Sequence, residues 1–185
     1  MAKSYDNIRV FGDLDTDVYI APKGSTLPVA LGEPTTPFVA LGWLGEDGTP
    51  LALTAEVAKF KAYQGGTLLR TKVTSTEKSV SVQCLEESPG VTSLYFDHGA
   101  ATISGTAPDQ VAKVDLPESI GTVERSAVFR WIDGTTEKLL CCPLVQVGER
   151  TEIPHKGDAM TVYGMTFSII GDCYLLTNSA AYVTP

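Results

Sequence analysis

The sequence predicts a mainly β domain, a β-sandwich or small barrel with one short α-helix. Three observations predict it. Short apolar runs recur between clusters of Gly, Pro, Asp and Ser, an Asp133-Gly134 pair stands between two such runs as a hairpin turn, and only the segment after Ser88 opens like a settled helix. No repeat or low-complexity tract divides the chain, and 185 residues at 43% hydrophobic suit a single domain, 1–185, with one core.

The chain begins with an acidic turn. Asp13, Asp15 and Asp17 alternate ahead of a strand over 18–21, and an EF-hand loop starting at Asp13 would need Gly at its sixth position and Glu at its twelfth, where Val18 and Gly24 stand. A solvated turn is the better reading. Residues 22–37, spaced by Pro22, Gly24, Pro28, Gly32, Pro34 and Pro37, read as extended surface chain, so that 1–37 forms an N-terminal arm.

Residues 38–44 are strand-like. The next strand signal, 67–71, follows a segment too long for a hairpin turn and too rich in Leu, Val, Phe and Tyr for a disordered linker. A long ordered loop of this kind needs a surface to pack on. Within it Thr54 can cap a short helix over 54–63 that aligns Val57, Phe60 and Tyr63 on one apolar face, before Gly65-Gly66 breaks the chain. In the strand region 67–86 the apolar side passes from odd positions (Leu69, Val73) to even ones (Val80, Val82, Cys84). A bulge or change of partner near 76–78 explains that switch, and it leaves Glu77, Ser79, Ser81 and Gln83 on a polar face.

Ser88-Pro89 caps and opens a helix over 91–96. From 121 to 132 Val123, Ala127, Phe129 and Trp131 alternate with Thr122, Glu124, Ser126 and Arg130, and the Asp133-Gly134 turn pairs this strand with 135–147. Apolar runs 160–170 and 173–176 close the domain, with 171–185 as a C-terminal tail.

Composition excludes several classes of function. A net charge of −8 argues against gripping phosphates, because nucleic-acid binders gain affinity from Lys and Arg. The first residues lack the apolar stretch of a signal peptide and nothing approaches the ~18 apolar residues of a membrane-spanning helix, so the protein is expected to be made and kept in the cytosol. In that reducing compartment Cys84, Cys141, Cys142 and Cys173 are expected as free thiols, with Cys141 and Cys142 alternating to opposite faces of a strand.

Chemistry is absent from the motifs. His98 and His155 have no second ligand at metal spacing, and there is no nucleophile elbow, zinc-protease helix or phosphate loop. Asp97-His98 with a serine, and the adjacent acids Glu46-Asp47 and Glu86-Glu87, read as solvated loop residues. Trp43 and Trp131 read as core or interface anchors, since both lie in apolar strand runs rather than among basic residues as a base-stacking platform would require. No enzyme, metal or cofactor is expected.

The succession Gly42-Trp43-Leu44-Gly45-Glu46-Asp47-Gly48, then Glu56 and Val57, then Lys61-Ala62-Tyr63-Gln64-Gly65-Gly66 and Arg70-Thr71, resembles the major tail proteins of long, flexible-tailed bacteriophages. Val18-Tyr19-Ile20-Ala21-Pro22 is similar to their opening, and Tyr63 stands where many relatives carry Trp. The resemblance covers the first half of the chain. It implies a tail-tube fold, shared with the secreted tube of contractile injection systems. It also implies hexameric rings of one protein, stacked into a tube in the virion tail after assembly in the host cytoplasm. Tape measure, tail tip and tail terminator proteins are the implied partners, and DNA passes through without specific binding. On that reading 42–66 is a stacking loop, with Trp43, Glu46, Asp47, Lys59, Phe60, Lys61, Tyr63 and Gln64 at inter-ring contacts. Glu77, Ser79, Ser81, Gln83, Glu124 and Ser126, polar positions alternating with apolar ones, would line the lumen. The rival from another class is a monomeric β-sandwich binding module, for carbohydrate or capsid decoration, whose residues 38–71 fold onto their own sheet.

Overall fold

The computed structural model describes residues 8–183, so the ends of the expected arm and tail lie outside the described residues. Its strands are β1 (Asp17–Pro22), β2 (Val39–Ala40), β3 (Leu51–Lys61), β4 (Leu68–Cys84), β5 (Thr102–Ser104), β6 (Val111–Lys113), β7 (Glu124–Asp133), β8 (Thr136–Arg150), β9 (Tyr163–Ile169) and β10 (Tyr174–Thr177). Two helices, α1 (Pro89–Phe96) and the single turn α2 (Ala180–Val183), complete it. The strands form an eight-stranded antiparallel sheet in the order β2-β1-β7-β8-β9-β4-β3, with β10 also on β8, and β5–β6 stand apart as a small hairpin.

This sheet curls on itself. Val18 and Ile20 of β1, Phe129 of β7 and Leu140 of β8 share one core with Val80 and Val82 of β4 and Met165 and Phe167 of β9. Helix α1 inserts Val91 and Leu94 into that core. Its ends match the sequence: the Ser88 side chain accepts from Val91 N at 3.2 Å, Pro89 starts the helix, and Asp97 in the left-handed region (φ 55°) stops it. On the back of β1, β7 and β8 a second cluster gathers Tyr19, Ala21, Phe38, Val128, Leu139 and Cys141, with Leu27 and Leu31 laid over it.

Four expectations are corrected. Residues 51–61 are neither loop nor helix: β3 pairs with β4 from Leu51↔Val80 to Lys61↔Leu68, so the stretch that carried a helical pattern is one arm of a long hairpin. Cross-strand pairing over its whole length outweighs the helix-forming Ala, Glu and Lys of 54–63. The N-terminal arm is not all extended surface. The strand expected at 18–21 is present as 17–22, buried and paired along β7, and it is 22–37 that depart from the expectation by folding back over the sheet, where Pro28 O accepts from Tyr174 Oη at 2.7 Å. The C-terminal tail likewise contains β10, paired to β8 from Tyr174↔Cys141 to Thr177↔Lys138. The β7–β8 turn is centred one residue later than expected, on Gly134-Thr135 between the pair Asp133↔Thr136, with φ +58° at Gly134.

The face switch in β4 has both proposed causes. Thr74 is a bulge between the pairs Glu56↔Ser75 and Val57↔Val73, and β9 joins β4 from Lys78 onward. Cys141 and Cys142 do point to opposite faces, one into each core cluster, and all four cysteines are free thiols.

Candidate functional site

Three surfaces carry the candidate residues. The first is the β3–β4 hairpin. From Leu68 to Glu77, β4 has β3 as its only strand partner among the described residues, so the distal hairpin is a two-stranded ribbon exposed on both faces. One face continues the core side of the sheet as Leu51, Leu53 and Val57, with Val73 directly opposite Val57. At the tip Tyr63 is 100% exposed and Gly65 and Gly66 turn with φ +67° and +64°. Lys59, Lys61, Arg70 and Lys72 surround that turn, and no Asp or Glu occurs between Glu56 and Glu77. Phe60 and Gln64 are exposed beside them.

The second surface is a groove at the other end of the hairpin, with a volume of about 740 Å³, walled by residues 11–14, 16–17, 42–50, Glu86 and Trp131. Its carboxylates are Asp13, Asp17, Glu46, Asp47 and Glu86, and none of its lining residues is Lys or Arg. Glu86 Oε1 accepts from Trp43 N at 3.0 Å. Gly42 makes room for that contact, since it has φ +82° and a Cβ there would lie 2.6 Å from the Glu86 carboxylate. Trp131 stacks on Phe129, centroids 6.3 Å apart, and its Nε1 donates to Thr49 Oγ1, while Trp43 stays 63% exposed. Burial raises the Asp17 carboxyl above the ordinary range. Backbone N–H groups of Val18, Gly42 and Leu41 pull the other way, and the Glu86 charge adds to the rise.

The expected inter-ring residues therefore divide between two places. Trp43, Glu46 and Asp47 sit at the groove; Lys59, Phe60, Lys61, Tyr63 and Gln64 sit at the tip. At roughly 3.3 Å per strand residue the length of β3 separates them by about 30 Å.

The third surface is a polar ladder. Ser79 of β4, Ser168 of β9, Gln146 of β8 and Glu124 of β7 are successive direct partners, so their side chains form one row on the face opposite the core. Gln146 Nε2 donates to Glu124 Oε1 at 3.1 Å, Lys23 Nζ to Glu124 Oε2 at 2.6 Å, and the hydroxyls of Ser81 and Thr166 lie 3.5 Å apart. The bond from Lys23 leads the causes that hold the Glu124 carboxyl below its usual range. Glu77 and Ser81 are exposed on this face; Gln83, further along it, donates from Nε2 to Asp47 Oδ2 at 3.1 Å. Ser126 does not belong to it. It is fully buried at an irregularity between Arg125 and Ala127, where its Oγ donates to Pro143 O at 2.9 Å and accepts from Gly24 N at 3.2 Å. Pro143 breaks the regular ladder beside it, and the serine hydroxyl takes up the freed carbonyl.

Alternation in Gly164, Thr166 and Ser168 was the signal for the missed half of the ladder, whereas nothing in sequence joined Phe11, Leu14, Glu86 and Trp131 into a groove.

No constellation for catalysis forms among these groups. Asp97 accepts from Gly121 N at 2.9 Å, and the His98 ring lies between Gly99 O at 2.6 Å and Thr92 Oγ1 at 2.9 Å, so the two are not joined as base and orienter. Burial pushes the Cys84 and Cys142 thiols up to about 12 and Cys141 up to about 11, far from nucleophilic range. Among the described residues no group of His, Cys, Asp and Glu could hold a metal ion.

The family model described as "Phage tail tube protein" matches residues 1–182. Among solved structures, the chain is similar to one in the tail of an empty gene transfer agent particle with C6 symmetry, at 11% identity and TM-score 0.49, covering 89% of this chain and 98% of that one. A chain in the virion of the native gene transfer agent has 11% identity, the same coverages of 89% and 98%, and TM-score 0.45. One in the six-fold symmetrised baseplate of the anti-feeding prophage has 10% identity, coverages of 95% and 97%, and TM-score 0.46. No curated protein matches. By a match that spans nearly its whole length, this chain belongs to the phage tail tube protein family and is a structural subunit of a tail.

Proposed function

We propose that copies of this chain close into hexameric rings that stack into the tail tube, the conduit through which DNA reaches the host cell. The observation that carries the reading is β3: it lies last in the sheet order, so its outer edge has no strand partner among the described residues along all eleven residues. An exposed edge of that length templates aggregation in a monomer, and joining sheets between subunits removes it. Glu77, Ser79, Ser81, Gln83 and Glu124, on the uncovered polar face, would line the lumen, where the two carboxylates repel passing phosphates and none of the five supplies a cation to hold them. The tip and groove residues would make the inter-ring contacts. Tape measure, tail tip and terminator proteins would be the other partners, with assembly in the host cytoplasm and the tube in the virion. No helix of the structure is long and apolar enough to cross a membrane.

A monomeric binding module is less well supported, because it calls for residues 38–71 to fold on their own sheet and the distal hairpin instead projects from it. Negative-stain microscopy of the purified chain at high concentration tests the choice. Rings or hollow rods are expected; a chain that stays monomeric and never enters particles would overturn the proposal.

A further inference from the structure

We propose that the hairpin tip of one copy seats in the groove of a second copy, so that the two clusters of inter-ring residues are the two sides of one contact; this rests on the assembly reading above. Charge selects the occupant. In a chain of net −8, residues 57–76 carry Lys59, Lys61, Arg70 and Lys72 and no acid, while the groove presents five carboxylates and no base. None of these tip cations or groove carboxylates has an ion-pair partner among the described residues: the ion pairs there use Arg9, Lys23, Lys113 and Arg130 with Asp133, Glu124, Asp115 and Glu137. Two oppositely charged surfaces, each unneutralised among the described residues, attract each other and repel themselves.

Side-chain chemistry points the same way. The groove shows the exposed ring of Trp43, and the tip offers Phe60, Tyr63 and cations able to lie over an indole face. A volume of about 740 Å³ falls in the range that encloses a small organic molecule, which fits a few side chains of a turn and not a whole strand. Geometry then sets the kind of contact. Tip and groove are about 30 Å apart on one copy, so a copy cannot fill its own groove with its own rigid hairpin. The contact is head-to-tail, each copy giving a tip and receiving one, which is the arrangement that repeats along an assembly instead of ending at a dimer.

A charge swap tests it. One variant carries Lys59→Glu and Lys61→Glu, a second carries Glu46→Lys and Asp47→Lys, and a third carries all four changes. All four positions are exposed, and circular dichroism checks that each variant stays folded. Each half-swap is expected to raise the concentration needed for assembly on the order of tenfold or more, and the full swap to recover most of it, because charges couple across a contact in pairs. In parallel, a Tyr63→Cys chain and an Asp47→Cys chain, both with Cys173→Ser, are mixed and oxidised. A disulfide linking the two chains is expected in the mixture. If the parent chain forms tubes and both half-swaps do so equally well, or if no disulfide joins the mixed chains within such tubes, the contact is overturned while the assembly reading stands. A parent chain that remains monomeric overturns both.

Discussion

Phe129 and Phe167 meet edge to face in the centre of the fold, ring centroids 6.2 Å apart and planes at 67°. They sit on strands separated by β8, so their contact exists only because the sheet curls enough to bring β7 over β9. Both are fully buried, and Phe129 also supports Trp131 of the groove wall.

Phe129→Ala is therefore expected to cost about 3–5 kcal/mol, the range for emptying an aromatic site in a close-packed core. Chemical denaturation gives the loss directly. A second readout follows from the stack: tryptophan emission should shift as Trp131 loses its support, whereas Ile170→Ala, at a partly exposed site, should leave emission unchanged.

The burial of Asp17 sets the sign expected for a pH dependence of stability. Burial raises its carboxyl in the folded state, so the folded chain holds the proton more tightly than the unfolded chain, and stability falls as pH rises from the ordinary carboxylate range near ~4 to the raised folded value, above which the loss is complete. Asp17→Asn removes that loss. Melting temperatures of parent and variant should differ in the variant's favour at neutral pH and converge below pH ~4; a gap independent of pH would refute the assignment.

The thiols should divide by burial. Alkylation of the native protein followed by mass spectrometry is expected to modify Cys173 first, since it alone is only partly buried, and to reach Cys84, Cys141 and Cys142 only on unfolding. Reductant should leave assembly unchanged. A native disulfide would contradict both expectations.

Shortening the hairpin separates stacking from folding. Replacing residues 58–72 by an Asn-Gly turn joins Val57 to Val73, which already face each other, and removes only ribbon that has no other strand partner among the described residues. Unfolding free energy should change by less than about 1 kcal/mol, as for surface changes away from the core. Tube length by electron microscopy should collapse.

Lumenal charge is testable in assembled tails. Glu77→Lys with Ser81→Lys adds two cations per copy on the exposed polar face. Tails should form normally while genome ejection slows, most at low salt where screening is least. Unchanged ejection from tails with lysines mapped to the channel wall would refute the electrostatic mechanism.

The sequence was most readable where a local rule acts on neighbouring residues. Ser88-Pro89 fixed the start of α1, strict alternation exposed the opposite faces of Cys141 and Cys142, and the move of apolar residues from Val73 to Val80 located the Thr74 bulge within two residues. β3 was misread because Ala55, Glu56, Ala58, Lys59 and Lys61 are good helix formers, and Val57 and Phe60 fall at helical spacing. The partner that decides the matter, β4, comes later in the chain. Ser126 was misassigned because alternation assumes an unbroken ladder and Pro143 breaks it. The groove was invisible for a different reason: β1–β7 pairing and the Leu44↔Cys84 bridge collect its walls from four stretches with no shared pattern.

The seam in β8 has an evolutionary consequence. One edge of β8 belongs to β7, but the other passes from β10, which ends at Tyr174↔Cys141, to β9, which begins at Val145↔Ile169, with Pro143 between. Each neighbour is anchored to its own stretch of β8, so the corner at 170–173 can gain or lose residues without shifting either register, at a closure cost that grows only slowly with length. β8 itself has no such freedom. A single residue inserted between Cys142 and Val145 would turn Val145 and Val147 onto the polar face and drive Gln146 into the core unless a further bulge absorbed it. Length variation among relatives should therefore collect in the corner and be excluded from the strand beside it.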